Sequence, residues 1–299
     1  MTNVIDADLE IGAPLRSGPL TLFPIAAPSG RQTREYLSGP EAAGLVTVHE
    51  KGSGVVAELV ADNGAGQPVL LVEGESLLGA KQDRTLNISV LLAAGHVATV
   101  PVSCVEAGRW GRALPSERST RHAPPRLRAS KTRSVVEGLG RGAEARSDQR
   151  AVWDEVAGYE RALGSGSATS ALRAVHDHAA GRVQRLVPES GPAPHQVGVI
   201  VATGGRPTLL ELFDDPATLE AYWQSLVEGY ALDASLTNEA DTTTVAQAEA
   251  FLAEARATAF ESRPGVSLGD ELHARTDDLV ATGISWGGQL VHLVCFASS

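Results

Sequence analysis

Val55-Val-Ala-Glu-Leu-Val-Ala61, Asp62-Asn63-Gly64 and Pro68-Val-Leu-Leu-Val72 are the segments on which the fold reading turns. Two apolar, β-branched runs flank an Asn-Gly pair, which supplies the positive φ angles of a tight hairpin turn. Two later stretches take the same form. Val197-Gly-Val-Ile-Val-Ala202 turns at Gly204-Gly205 into Thr208-Leu-Leu-Glu-Leu-Phe213, and Asp278 to Ser285 turns at Gly287-Gly288 into Gln289 to Phe296. Hairpins in the first, middle and last parts predict a largely antiparallel sheet and suggest an internally duplicated unit.

Helical patterns are concentrated in the second half. Gln149 to Leu163 sets Val152, Val156 and Tyr159 on one face, and Ser170 to Val187 is a second helical window. Asp215-Pro216 reads as an N-cap and first-turn proline for a helix through about Tyr230. Thr244 and Gln247 have capping-box spacing ahead of the Ala-rich Ala246 to Phe260. Strands first and helices later, without regular βαβ alternation, give an α+β class.

A length of 299 residues with 43% hydrophobic and 20% charged side chains fits one large domain. An alternative is a two-lobe division near 147–165. Two cysteines, Cys104 and Cys295, are too few for a disulfide framework. The acidic start from Met1 to Glu10 lacks the basic region and apolar run of a signal peptide, and Thr85 to Val105 is interrupted by Asn87, His96 and Pro101. A soluble cytoplasmic protein with no membrane partner is expected.

The net charge is −11, yet Arg109 to Arg150 holds 11 Lys and Arg against 4 Asp and Glu. The acidic remainder argues against nucleic acid, and the basic run from Arg112 to Arg133 has no aromatic residue on which a base could stack. Residues 111–146 therefore read as a long basic loop, functional or disordered, that could dock an acidic protein partner.

Familiar catalytic motifs fail on context. Gly283-Ile-Ser285-Trp-Gly287 fits G-x-S-x-G, but a strand follows where the nucleophile elbow needs a helix. His176 and His178 stand at i and i+2, on different faces of a helix. No dinucleotide fingerprint or phosphate-binding loop implies a cofactor.

Polar groups instead cluster between Leu70 and Trp110. Lys81, Gln82, Arg84, Asn87, Arg109 and Trp110 offer donors and a ring for a small anionic ligand. Glu73, Glu75 and Glu106 are the candidate acids and bases. Alternation places Gln82 and Arg84 on one strand face and Lys81, Asp83 and Asn87 partly on the other, so they converge only if Gly79-Ala80 bends the chain. A structural reading stands beside this one: Glu106 pairs with Arg84 or Arg109, Gln82 and Asn87 cap backbone groups, and Trp110 fills the core. Cys104 reads as a small buried hydrophobe.

The string from Gly74 to Ser89, Gly-Glu-x-Leu-x-Gly-Ala-Lys-Gln-x-Arg-x-x-Asn-x-Ser, and Pro101-Val-Ser-Cys-Val-Glu-x-Gly-Arg-Trp110 resemble the ARG-and-rhodanese-phosphatase-superfamily-associated protein domain family. Support continues at Gln149 to Trp153, Ser167 to Thr169 and Gly198 to Phe213, so the resemblance spans about Leu15 to Phe296. The family name records association with ADP-ribosylglycohydrolase and phosphatase-type proteins. It implies an ADP-ribose-related, nucleotide-like ligand, with hydrolysis as an accompanying expectation. Where the family pattern has Asn between the Gln and the Arg, this chain has Asp83, an acceptor ill suited to an anion. The competing expectation is a scaffold or interaction protein in which the polar string locks the fold.

Overall fold

The computed structural model describes residues 4–5, 8–27, 34–111, 114–237 and 241–298, with the backbone alone for 114–120. Along the chain, β1 (Glu10–Ile11), β2 (Leu15–Ser17) and β3 (Leu20–Ala26) precede β4 (Leu37–Ser38), β5 (Val46–Val55) and β6 (Glu58–Asn63). Next come β7 (Val69–Leu71), β8 (Glu75–Ala80), β9 (Arg84–Leu86), β10 (Val90–Leu92), β11 (Val97–Cys104) and β12 (Leu114–His122). Three helices follow, α1 (Pro125–Gly140), α2 (Gln149–Leu163) and α3 (Leu172–Gln184), then β13 (Gln196–Thr203), β14 (Arg206–Phe213), α4 (Pro216–Ala234) and α5 (Val245–Ala257). The chain ends with β15 (Glu261–Pro264), β16 (Asp270–Arg275), β17 (Leu279–Trp286) and β18 (Gln289–Ala297). The class is α+β with mostly antiparallel sheets, as the pattern predicts.

Contacts separate the chain into two compact units. One comprises residues 1–34, 182–264 and 269–299, and the other 35–181 and 265–268. A single large domain was the expectation. The chain passes between the units at 34–35, 181–182, 264–265 and 268–269, and α2 runs uninterrupted through 149–163.

The first unit is a nine-stranded sheet, ordered β1-β3-β13-β14-β18-β17-β16-β15 with β2 beside β3. Alternation sends Leu210 and Leu212 to the face that shares a core with Phe251, Leu252 and Ala255 of α5. Glu211 and Phe213 take the other face, where α4 places Tyr222 in a stack on Phe213 and Tyr230 Oη donates to Glu211. Asp215 caps α4 by accepting from Ala217 N–H, and Thr244 with Gln247 forms the expected capping box of α5. Gly204, Gly205, Gly287 and Gly288 all have positive φ, so the β13–β14 and β17–β18 hairpins turn where the glycines predict.

The second unit holds a three-stranded sheet, β10-β7-β4, and a six-stranded one, β12-β8-β9-β11-β6-β5. Here the Asn63-Gly64 hairpin does not form. β6 pairs with β5 and β11, whereas β7 pairs with β10 and β4. Asn63 is buried, and its side chain donates to the carbonyls of Gln67, Leu92 and Ala93 while accepting from Ala65 N–H. The amide thus satisfies a loop rather than a two-residue turn. Only the second and third segments share the hairpin form.

The basic stretch also departs from expectation, although residues 112 and 113 lie outside the described residues. Instead of a long loop it supplies β12 and α1. Leu127, Arg128, Lys131, Thr132, Val135 and Gly138 are buried, a helical stripe in which cations occupy two core positions. Composition hides such a stripe because a charge is ordinarily counted as solvated.

Candidate functional site

The turn between β8 and β9 organises the polar cluster. Gly79 (φ 87) and Ala80 (φ 48) both lie in the left-handed region, and this is the bend that convergence requires. A non-glycine residue held there is strained and persists only where its surroundings enforce it. Arg109 does so. Its Nη1 and Nη2 donate to the carbonyls of Ala80 (3.1 Å) and Gly79 (3.2 Å), Nη2 also to Asp83 Oδ1 (3.1 Å), and Nε to Glu106 Oε2 (2.8 Å).

Glu106, buried, also accepts from Asp83 N–H at 3.1 Å. Burial opposes its ionisation, but the hydrogen bonds from Arg109 and Asp83 N–H prevail and hold the carboxyl below its ordinary range. Asp83 moves the other way: burial, and then the neighbouring Glu106 charge, raise it despite Gly79 N–H, Arg173 and Arg109. Arg173 Nε stands 3.5 Å from Asp83 Oδ2. A carboxyl raised in the fold contributes stability while protonated and loses it as pH rises through its folded value. Asp83→Asn keeps the Oδ1 acceptor for Gly79 and Arg109 and removes that loss. It is expected to change stability by under about 1 kcal/mol at neutral pH. Urea unfolding at pH 5 and pH 8 should give a smaller difference between the two pH values for the variant than for the parent.

Glu73 is fully buried. Its Oε2 accepts from Arg128 Nε at 2.8 Å, and its Oε1 pairs with Lys131 Nζ at 2.6 Å; Lys131 also donates to Leu86 O. Burial disfavours the Glu73 carboxylate, yet Lys131 and Arg128 overcome this and hold it below its usual range. Burial likewise lowers Lys131. Gly74 (φ 88) is required here because a Cβ would stand 2.8 Å from Arg128 Nε. Glu75 is buried and accepts from Val72 N–H at 2.6 Å. Sequence reading missed Arg128, Lys131 and Arg173; the i,i+3 spacing of the first two was the available signal.

Asn87 bridges Ala145 O and Ser103 Oγ. Gln82 Nε2 donates to Glu106 O (2.8 Å) and its Oε1 accepts from Arg84 Nη1 (3.2 Å), so Gln82 and Arg84 do share a face. Arg84 sits opposite Cys104 in the β9–β11 register. Burial pushes the Cys104 thiol up, and Sγ donates to Glu106 O, a poor setting for a nucleophile. Gln149 brackets the same residue, accepting from Cys104 N–H and donating to Cys104 O.

Arg84 is the exception in this network. It is 0% exposed, and Nε donates to Val56 O at 3.0 Å. Among the described residues no carboxylate pairs with it, and Nη2 has no hydrogen-bond partner. Above it lies Trp110, 50% exposed rather than in the core, with its ring centroid 5.8 Å from Arg84 Cζ and 5.0 Å from Lys81 Nζ.

The remaining motif residues stand apart from this cluster. His176 is buried and held neutral, its value lowered to about 4 chiefly by burial, while His178 is exposed. Ser285 lies on β17 and leads into β18, a strand–turn–strand context with no nucleophile elbow. No helix among the described residues is long and apolar enough to cross a membrane.

Residues 8–296 match the ARG and Rhodanese-Phosphatase-superfamily-associated Protein domain. The chain belongs to that family. No curated protein and no solved structure matches it. In this member of the ARG and Rhodanese-Phosphatase-superfamily-associated family, the string from Gly74 to Ser89 and the segment from Pro101 to Trp110 meet around two ion-paired groups, Glu73–Arg128–Lys131 and Asp83–Arg109–Glu106. Arg84 has no such carboxylate among the described residues.

Proposed function

We propose that this protein binds a small anionic, nucleotide-like ligand at Arg84, beneath Trp110, and that the surrounding carboxylates build the site rather than hydrolyse the ligand. One observation carries the reading: a guanidinium removed from solvent with no carboxylate partner and an idle Nη2. An uncompensated buried charge is costly, and a natural fold that keeps one calls for a functional reason. A phosphate or carboxylate oxygen on Nη2 supplies the missing partner. Trp110 offers a half-open ring for a flat group, and the family name makes ADP-ribose-bearing compounds the first to try.

The carboxylates support binding over hydrolysis. Glu73 and Glu106 are held below the ordinary range by neighbouring cations, which leaves each a weak base. Docking of an acidic partner on residues 111–146 is a weaker reading because five of its cations already have carboxylate partners within the unit. Arg121 pairs with Asp177, Arg126 with Glu155, Arg128 and Lys131 with Glu73, and Arg146 with Glu58. A purely structural lock accounts for both ion-paired groups and for the bonds of Arg84 to Val56 O and Gln82 Oε1, but leaves its Nη2 without a use.

Arg84→Met separates the readings. Replacing an unpaired buried charge by an apolar chain of similar length breaks no ion pair but removes the donors of Val56 O and Gln82 Oε1, so a loss of no more than about 1–3 kcal/mol is expected. Calorimetric binding of ADP-ribose or AMP is expected to fall at least about tenfold with the loss of a charged hydrogen bond. If Arg84→Met unfolds the protein, or binding persists unchanged, the reading is overturned.

A further inference from the structure

The irregular end of β5 and its turn into β6 are tied to the anion site by the side chains that would hold the ligand. Lys81 Nζ donates to Ser53 O, and Arg84 Nε donates to Val56 O. At its base this segment has two firmer anchors: Lys81 N–H donates to Glu50 Oε1 at 2.8 Å, and Ala57 O accepts from Val102 N–H at 3.0 Å. Between them the β5–β6 register breaks from Glu50 to Val55. Lys51, Gly52 and Ser53 are exposed, and Gly52 and Gly54 have positive φ. Gly54 must stay small because a Cβ there would stand 3.0–3.2 Å from the end of the Lys81 side chain. Lys81 therefore lies across this tip as a latch, with the Trp110 ring beside its amine.

Both ties run from a cation to a neutral carbonyl. A charged oxygen adds charge–charge attraction that a neutral carbonyl does not offer the same cation. We infer that the tip from Lys51 to Val56 is a ligand-operated flap. A compact oxyanion such as a phosphate group, seated between Lys81 Nζ and Arg84 Nη2, takes the Lys81 amine from Ser53 O and releases the tip. This rests on the anion reading above and adds to it a ligand class and a structural response. The anion is a compact one that contacts both cations, and its arrival frees the segment around Ser53 instead of closing over the site. Val55 and Val56 are each 37% exposed already, so the released tip loses little buried apolar surface.

Trypsin cleavage after Lys51 reads the flap, and calorimetry with inorganic phosphate and with AMP reads binding separately. Saturation with a bound probe is expected to raise the Lys51–Gly52 cleavage rate about tenfold, the factor that loss of one charged hydrogen bond brings. Lys81→Met is expected to be cleaved at that raised rate without any probe and to show no further rise. Binding of a probe with unchanged or slower cleavage overturns the flap while leaving the anion site standing. Absence of binding by phosphate, AMP and ADP-ribose overturns the anion reading itself. If Lys81→Met, with an unfolding midpoint like the parent's, is cleaved at the parental rate, the latch is overturned whatever the probes do.

Discussion

Glu73→Gln is expected to lower stability by about 3–5 kcal/mol, the penalty for breaking a buried ion pair from one side. The carboxylate is the partner of two cations, and all three side chains have no solvent exposure. Glutamine keeps the shape but leaves Arg128 and Lys131 as adjacent positive charges. Because the Glu73 carboxyl is held low in the fold, its contribution is fully present above the ordinary carboxylate value. It is lost as pH falls through the folded value. The gap between parent and variant should therefore be widest near neutrality and shrink in acid. It should shrink again at alkaline pH, where Lys131, already lowered by burial, sheds its proton. Urea unfolding across this range measures both limbs. A flat difference, or one below about 1 kcal/mol, would show that the triad is not the lock inferred from its geometry.

Arg109→Ala is expected to rank beside it, at about 3–5 kcal/mol near neutral pH, for the opposite electrostatic reason. The substitution removes donors from Glu106, Asp83, Ala80 and Gly79 together and leaves two buried carboxylates facing each other. Asp83 is raised in the parent by burial and by Glu106 and should rise further without Arg109, while Glu106 should rise from its lowered value. Protonation then relieves the strain, so this variant should regain stability as pH falls toward the carboxylate range. The left-handed Ala80 should also relax, since the carbonyl on each side of its bend loses its donor. Ligand binding should weaken as well, because the turn presents Lys81 and Arg84. Chemical unfolding at pH 5 and pH 8 checks the sign; equal losses at both values would count against it.

Elements whose signal is local were legible in the sequence. The α2 helix spans Gln149–Leu163 as its periodicity predicts, with Val152, Val156 and Tyr159 buried. The capping box of α5 and the diglycine hairpins at Gly204 and Gly287 also follow from short-range chemistry. The Asn63-Gly64 turn was misread because a buried asparagine can serve long-range carbonyls as well as a local turn. The reading of residues 111–146 as a loop failed because Arg128 and Lys131 are core residues only when Glu73, more than fifty positions away, is there to receive them.

The candidate site divides along the same line. Sequence alone determined that the residues from Gly74 to Ser89 and from Pro101 to Trp110 belong together and mark a family, because a dense polar string among strand residues is visible in one dimension. It also set the condition that Gly79-Ala80 must bend for those groups to converge. Only the tertiary structure decided which charges are matched. Glu73 takes its partners from α1, Glu106 takes Arg109, and Arg84 is left buried with Nη2 idle under Trp110. The energy of a buried charge depends on the distance to its counter-ion and on lost solvent, and neither is a property of sequence spacing.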